Sequence, residues 1–399
     1  MEYYLRRQAS GIPTFDHKGV QNYQTVATSN RDAALTAPVF IGSEIYRRPA
    51  FGGNHPLNLV RHAAVTDLAR ILGWLRDDDF CASSPATVDQ LLEFHDRAYV
   101  KALQYADAER RVAPDVRNRY QIGTLENPLF PGLFDRAAMT VGGSILAAEL
   151  ALDGHVAFHP SGGTHHGRPD RACGFCYFND PVFAILRLLE SGLESVLYVD
   201  LDAHHGDGVE IAFFDDKRVT TVSVHEDYRW PYSGSTSYPD EGAYNLPVPK
   251  GVNDSEFEYL VEYAIVPLAE ARPTEAIVIC CGADCLAGDP LSTMMLSNGA
   301  LWDAVDRLVA FAVPTVIVGG GGYNPWTLTR YWAGLWGRIT EQEFPERLPP
   351  AAGDLLRGME CDLVDDEDVD AAWLTTMADS PYPGPVRDSI KSLADSIVP

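Results

Sequence analysis

The chain has 399 residues and a hydrophobic fraction of 46%, enough for one large α/β domain or two ordinary ones with a sizeable core. Its 56 acidic against 31 basic residues leave a formal charge of −25, which argues against a nucleic-acid backbone or an anionic membrane as the main partner and would tolerate cationic ligands. Seven scattered cysteines make no disulfide framework, no apolar stretch approaches the roughly 18 residues of a membrane span, and the start "MEYYLRRQAS" lacks the apolar run of a signal peptide, so a cytoplasmic, non-membrane protein is expected.

Residues 1–36 have little periodicity and read as an irregular arm. From residue 37 to about 340, short β-branched runs alternate with longer amphipathic stretches, the pattern of βα units and a mainly parallel sheet. Strands are predicted at Val39–Gly42, Val156–His159, Ser195–Asp202, Val219–His225, Glu275–Gly282 and Pro314–Gly319. Helices are predicted at Leu57–Leu75, Val88–Glu93, Ala98–Ala108, Leu133–Leu152, Pro181–Ser191, Ser255–Ala271, Gly299–Ala312 and Pro325–Ile339. The triplet Asn179-Asp180-Pro181 suits a helix start, with a capping side chain and a proline in the first turn. Residues 341–399, with "CDLVDDEDVDAA", read as an acidic C-terminal extension packed on or trailing the domain.

Every unusual residue cluster follows a predicted strand, and in open parallel sheets ligands sit at the carboxyl ends of strands. Asp202 and His204 in "DLDAHHGDG" are two apart, so in an extended strand end both could bind one cation. Asp284, in "CGADCLAGD" after another apolar strand, is the natural third ligand, leaving an open position as in a catalytic zinc site. His165 and His166 in "GGTHHG" suit proton transfer near neutral pH, and Asp200 and Asp207 remain to orient them. Tyr323, after four glycines, could donate to a developing oxyanion. The glycine run is not a phosphate cradle, because no P-loop lysine or G-x-G-x-x-G spacing accompanies it. "CGFC" at 173–176 is read as pocket packing rather than a redox motif, and His205 as a structural residue hydrogen-bonded behind the site.

Five separated motifs, "FGGNHPLNLVRH", "GGTHHGRPDRACGFCYFND", "YVDLDAHHGDGVEIAFF", "CGADCLAGDP" and "GGGGYNPWTLTRYW", resemble the zinc-dependent histone deacetylase superfamily, in particular its bacterial acetoin-utilisation-type members. The resemblance spans about residues 37–340 and implies an arginase/deacetylase-like α/β domain around an eight-stranded parallel sheet with helices on both faces. It implies one Zn2+ on Asp202, His204 and Asp284, His165 paired to Asp200, His166 paired to Asp207, and Tyr323 as the catalytic tyrosine. The implied reaction is hydrolysis of an N-acetyl amide, with His166 as main general base and His165 as electrostatic partner or acid; spacing alone does not apportion the two histidines, nor separate zinc from iron.

The same resemblance places Arg61 on an acetate-release path, Gly174, Phe175 and Tyr232 along the acyl channel, and Glu126 at its rim. Structural K+ or Na+ ions are implied at Asp200, Asp202, His204, Ser223 and Val224, and at Phe213, Asp216, Val219 and Tyr244. "PYSGST" stands where many relatives have P-G-T-G, with Tyr232 for a usual phenylalanine. The expected substrate is an acetylated lysine side chain or small amine such as an acetylpolyamine. A binuclear manganese ureohydrolase and a silent acetyl-ligand binding module rank below it, because the first wants more bridging carboxylates and the second would have lost a metal ligand or the tyrosine.

Overall fold

The computed structural model describes residues 36–52, 55–57 and 61–397. Apart from Thr36, the expected N-terminal arm lies outside the described residues. Eight strands form one sheet: β1 (Thr36–Gly42), β2 (Phe80–Ala82), β3 (His155–His159), β4 (Val196–Asp200), β5 (Val219–Glu226), β6 (Ala243–Val248), β7 (Ala276–Cys280) and β8 (Thr315–Val318). Their order is β2-β1-β3-β8-β7-β4-β5-β6, and every pairing is parallel.

Parallel strands need crossover connections, and the helices that make them cover both faces. Helices α1 (His62–Ile71), α2 (Leu133–Leu152), α3 (Asp180–Glu190), α4 (Asp207–Phe213), α5 (Asn298–Val309), α6 (Pro325–Ile339) and α7 (Asp388–Asp395) do most of this work. Strand β4 illustrates the consequence: Leu197 and Val199 point into one apolar cluster and Val196 and Tyr198 into the opposite one, all four fully buried. The helix α3 start is capped as its sequence suggests, with the Asn179 side chain accepting from Val182 N–H and Pro181 in the first turn.

The predicted central strands are present; three are shortened at their carboxyl ends, where Asp200, Cys280 and Val318 are the last sheet residues, whereas β3 ends at His159 as expected and β5 runs one residue further, to Glu226. The two edge strands escape the sequence pattern for physical reasons. Phe80–Ala82 is three residues, two half-buried and one exposed, and Ala243–Val248 contains Pro247, which cannot donate to a ladder and is tolerated at an edge. The expected helix Ser255–Ala271 is an α-helix at Asp254–Leu260, one wide turn at Val261–Ile265 and a further α-helix at Val266–Ala271; Pro267, without an N–H, sits where the hydrogen bonding changes. Short helices at Pro114–Tyr120, Asp207–Phe213 and Pro350–Arg357, and α7, were not legible.

Register aligns the chemistry. Asp200 pairs with Ser223 on one side and Cys280 on the other, Cys280 pairs with Val318, and Val318 with His159. Four adjacent strands therefore end at one level while β5 runs on to Glu226, and the loops bearing residues 162–166, 202–207, 227–232, 281–289 and 319–323 leave from the same edge. Downstream of α6, the chain folds back over that helix. Arg330, fully buried, is held by the Asp379 carboxylate at 2.7 Å and by the carbonyls of Thr376 and Met377. Ile390, Ala394 and Ile397 join the main core.

Candidate active site

Strand β4 delivers the first groups. Tyr198 donates its hydroxyl to Asp200 Oδ2 at 2.6 Å, and the same oxygen lies 2.7 Å from His165 Nδ1. Beyond the strand end the chain curls, so that Asp202 Oδ1 accepts from His204 N–H at 2.9 Å and Asp202 Oδ2 accepts from Gly321 N–H at 2.6 Å. Asp284 comes from the β7 loop: its Oδ1 accepts from Ala203 N–H and its Oδ2 lies 2.8 Å from His204 Nδ1. A Cβ at Gly321 would collide with the Asp284 carboxylate, so only glycine lets this loop close over the two acids.

Asp202, His204 and Asp284 offer ligand atoms all within 4.8 Å of one another, and the two carboxylates are fully buried. Two carboxylates so placed cannot both stay ionised without a cation. Burial and the charge of Asp202 push Asp284 up, whereas Asp202, despite burial, is drawn well below the usual range by His165 and His204. His204, against the cost of burial, is raised to about 10 by Asp284 and Asp202. An O, N, O set with this demand fits a single divalent cation with an open position. A second trio, His165, Asp202 and Cys280, shares Asp202. Its Cys280 donates to Gly319 O at 3.3 Å, and burial holds the thiol protonated, so the first trio is the better seat.

The two histidines differ electrostatically. Burial alone would depress His165, but Asp200 and Asp202 raise it to about 9. His166, whose Nδ1 lies 2.9 Å from Asp207, is lowered to about 4 by burial and then by the charge of His165. Asp207 cannot offset this fully because the Arg168 guanidinium binds its other oxygen. Asp207 itself, despite burial, is held at about 2 by His166 and Arg168.

Tyr323 lies on the same pocket, buried, with its phenol pushed well above the usual range by burial and then by Asp284 and Asp202. The hydroxyl is thus a donor at any physiological pH. Its backbone N–H donates to Asp289 Oδ2 at 2.7 Å. The pocket runs on past Arg61, His62, Arg136 and Thr140 into the interior. Arg61 donates to Gly320 O at 2.5 Å and lies over Trp332, while its buried Nε has no partner among the described residues.

Phe175 lines the pocket 6.0 Å from the Tyr323 ring, and Gly174 N–H donates to Glu126 Oε1 at 3.2 Å. Tyr232 corrects the expectation: it is 77% exposed and does not line the pocket. The ring against the site is Trp230, 4.7 Å from His166 and 6.2 Å from His204, and a Cβ on Gly174 would collide with it. The aromatic immediately before Pro231 was the available signal; matching the proline-glycine run instead set the wall two residues late. Arg168, Tyr198 and Asp289 were likewise missed, the first two because they act through an aspartate rather than on the pocket.

His205 bonds Ser233 at 2.8 Å and Glu210 at 3.0 Å on the side away from the pocket. Asp200, Asp202, His204, Ser223 and Val224 gather where β4 ends beside β5, with Ser223 Oγ accepting from Gly206 N–H. Phe213, Asp216 and Val219 form the turn from α4 to β5, where the Asp216 carboxylate binds Arg218, and Tyr244 accepts from Arg272 at 2.5 Å. No helix among the described residues is long and apolar enough to cross a membrane.

A model of the histone deacetylase domain matches residues 55–339. The acetoin utilization protein AcuC of Bacillus subtilis (strain 168) is 31% identical over 328 residues, covering 78% of this chain and 84% of that protein. Histone deacetylase 9 of Arabidopsis thaliana is 35% identical over 309 residues, 75% of this chain and 72% of that protein. The crystal structure of an HDAC homolog from Aquifex aeolicus matches with a TM-score of 0.85 at 33% identity, over 91% of this chain and 100% of that one.

Proposed function

The chain belongs to the zinc-dependent histone deacetylase superfamily and is an amidohydrolase acting on acylated amines; on that premise we propose that it removes acetyl groups from lysine side chains or small amines, with one Zn2+ held by Asp202, His204 and Asp284. The observation that carries this reading is the meeting of that buried ligand trio, two histidine–aspartate pairs of opposite protonation and a buried tyrosine hydroxyl on one pocket.

A bound zinc ion polarises the acyl carbonyl and acidifies water. His166, neutral at pH 7, accepts the proton of the attacking water, and Asp207 holds its ring by Nδ1. His165, kept charged by Asp200, stabilises the developing negative charge and supplies a proton to the leaving amine. Tyr323 donates its hydroxyl to the oxyanion. Arg61, which lines the inner pocket and has an unpartnered Nε, receives the carboxylate product. Phe175 and Trp230 confine the substrate chain, and Glu126 sits at the rim. The group around Asp200 and Ser223 is the seat we assign to a structural K+ or Na+ ion.

The test is acetate release from a panel of acetyl-lysine peptides and acetylated polyamines by the metal-loaded protein. Chelator-sensitive release is expected; no release from any member, at full metal occupancy, would refute the reading. Two tightly bound ions per chain would instead revive a binuclear ureohydrolase.

A further inference from the structure

The proposed amide chemistry makes no use of the sulfur atoms in Cys173-Gly174-Phe175-Cys176. Both cysteines are free thiols, Cys173 half-buried and Cys176 buried. They stand directly opposite each other: Cys173 N–H donates to Cys176 O at 3.0 Å, and Cys176 N–H donates to Cys173 O at 2.9 Å. Between them Gly174 and Phe175 have φ of 56° and 65°, the doubly left-handed turn that closes a two-residue hairpin.

Residues opposite each other across an antiparallel pair project side chains to the same face, so both sulfurs lie on one side of this hairpin. A pair that exchanges both backbone bonds has Cα atoms about 5.5 Å apart, inside the disulfide range of about 4.4–6.8 Å. The Cβ atoms start about 4.5–5.5 Å apart and must close toward about 3.8 Å. Bond formation is therefore feasible but draws the stem together and twists the turn. That turn is the pocket wall: Phe175 faces Tyr323 and packs edge-on against His55 at 4.5 Å, and Gly174 is wedged between Glu126 and the Trp230 ring.

We propose that Cys173 and Cys176 form a reversible dithiol–disulfide site whose oxidation shifts the Gly174–Phe175 wall and hinders substrate entry. With a small disulfide oxidant, the Cys173 sulfur, the more accessible one, attacks to give a mixed disulfide and one released thiol. The Cys176 sulfur then displaces the second thiol, so two protein S–H bonds are exchanged for one S–S bond and the oxidant leaves as two thiols. Burial keeps both protein thiols protonated at neutral pH, Cys173 at about 11, so the pair answers sustained oxidant rather than catalysing rapid exchange. The strain in the stem makes the disulfide easily reduced.

Only the kinetic readout rests on the amidohydrolase reading. The full chain, metal-loaded, is treated with glutathione disulfide, alkylated and mapped by mass spectrometry. A 173–176 crosslink about 2 Da lighter than the dithiol is expected, with KM for an N-acetylated amine raised at least about threefold and restored by a phosphine reductant. Cys173→Ser is expected to keep the reduced enzyme's kinetics and lose the response. A lasting glutathione adduct on Cys173 alone, or pairing with another cysteine, would overturn the site. A crosslink that leaves KM unchanged would overturn the effect on entry. Because the crosslink is read by mass, it decides the dithiol site even if no acylated amine is hydrolysed.

Discussion

His165 and His166 stand with ring centroids 3.9 Å apart, yet one is held charged and the other neutral. The cause lies in their carboxylates: Asp200 is joined by Asp202 in favouring the charged His165, whereas Asp207 divides itself between His166 and Arg168. In the proposed mechanism, activity needs His166 unprotonated and His165 protonated. The rate should therefore rise as pH passes the value of about 4 set for His166 and fall as it passes the value of about 9 set for His165. A pH profile of kcat/KM that climbs only above neutrality would contradict this assignment.

Arg168→Met removes a cation from the His166–Asp207 pair. His166 should then be easier to protonate, moving the acidic limb of the profile up by about 1 unit. The lost partner of a buried carboxylate should also cost about 3 kcal/mol of stability, measurable by urea denaturation. An unmoved acidic limb in a folded variant would show that Arg168 does not tune the base.

Tyr323→Phe should keep its metal and lose about 100-fold or more in kcat, as expected for an oxyanion donor. Asp202→Ala and His204→Ala should lose metal and activity together. Metal content by mass spectrometry, read beside acetate release, separates the two classes, and a fully active Tyr323→Phe enzyme would remove the tyrosine from the mechanism.

Trp230, not Tyr232, packs against His166, and we assign the channel wall to it. Trp230→Ala should shift the ratio of kcat/KM toward bulkier acyl groups, while Tyr232→Ala, at an exposed position, should stay within about twofold of the parent. Equal effects of the two substitutions would reinstate the exposed tyrosine.

Arg330→Met leaves Asp379 without its guanidinium. The pair, with its guanidinium fully buried and its carboxylate nearly so, joins α6 to the C-terminal segment, so the loss should be about 3 kcal/mol. Denaturation midpoints would measure it; a change below about 1 kcal/mol would mean that the segment is not braced there.

By itself the sequence determined what depends on near neighbours. Short continuous β-branched runs mark the central strands and period-3.6 apolar patterns most long helices, and because strands of a parallel sheet send their loops out at a common edge, the same reading put the ionisable clusters on one rim. Which histidine faces which aspartate came from resemblance, since residues 35 and 41 positions apart meet only through sheet register. Tertiary structure alone decided the rest. Edge strands carry too little apolar pattern to announce themselves; Trp230 rather than Tyr232 meets His166 because of the loop's path; the Arg330–Asp379 pair spans 49 positions. The opposed protonation of His165 and His166 is the clearest case. Two adjacent, identical residues differ only through burial and through charges brought in from distant strands, and no local pattern encodes a desolvation energy.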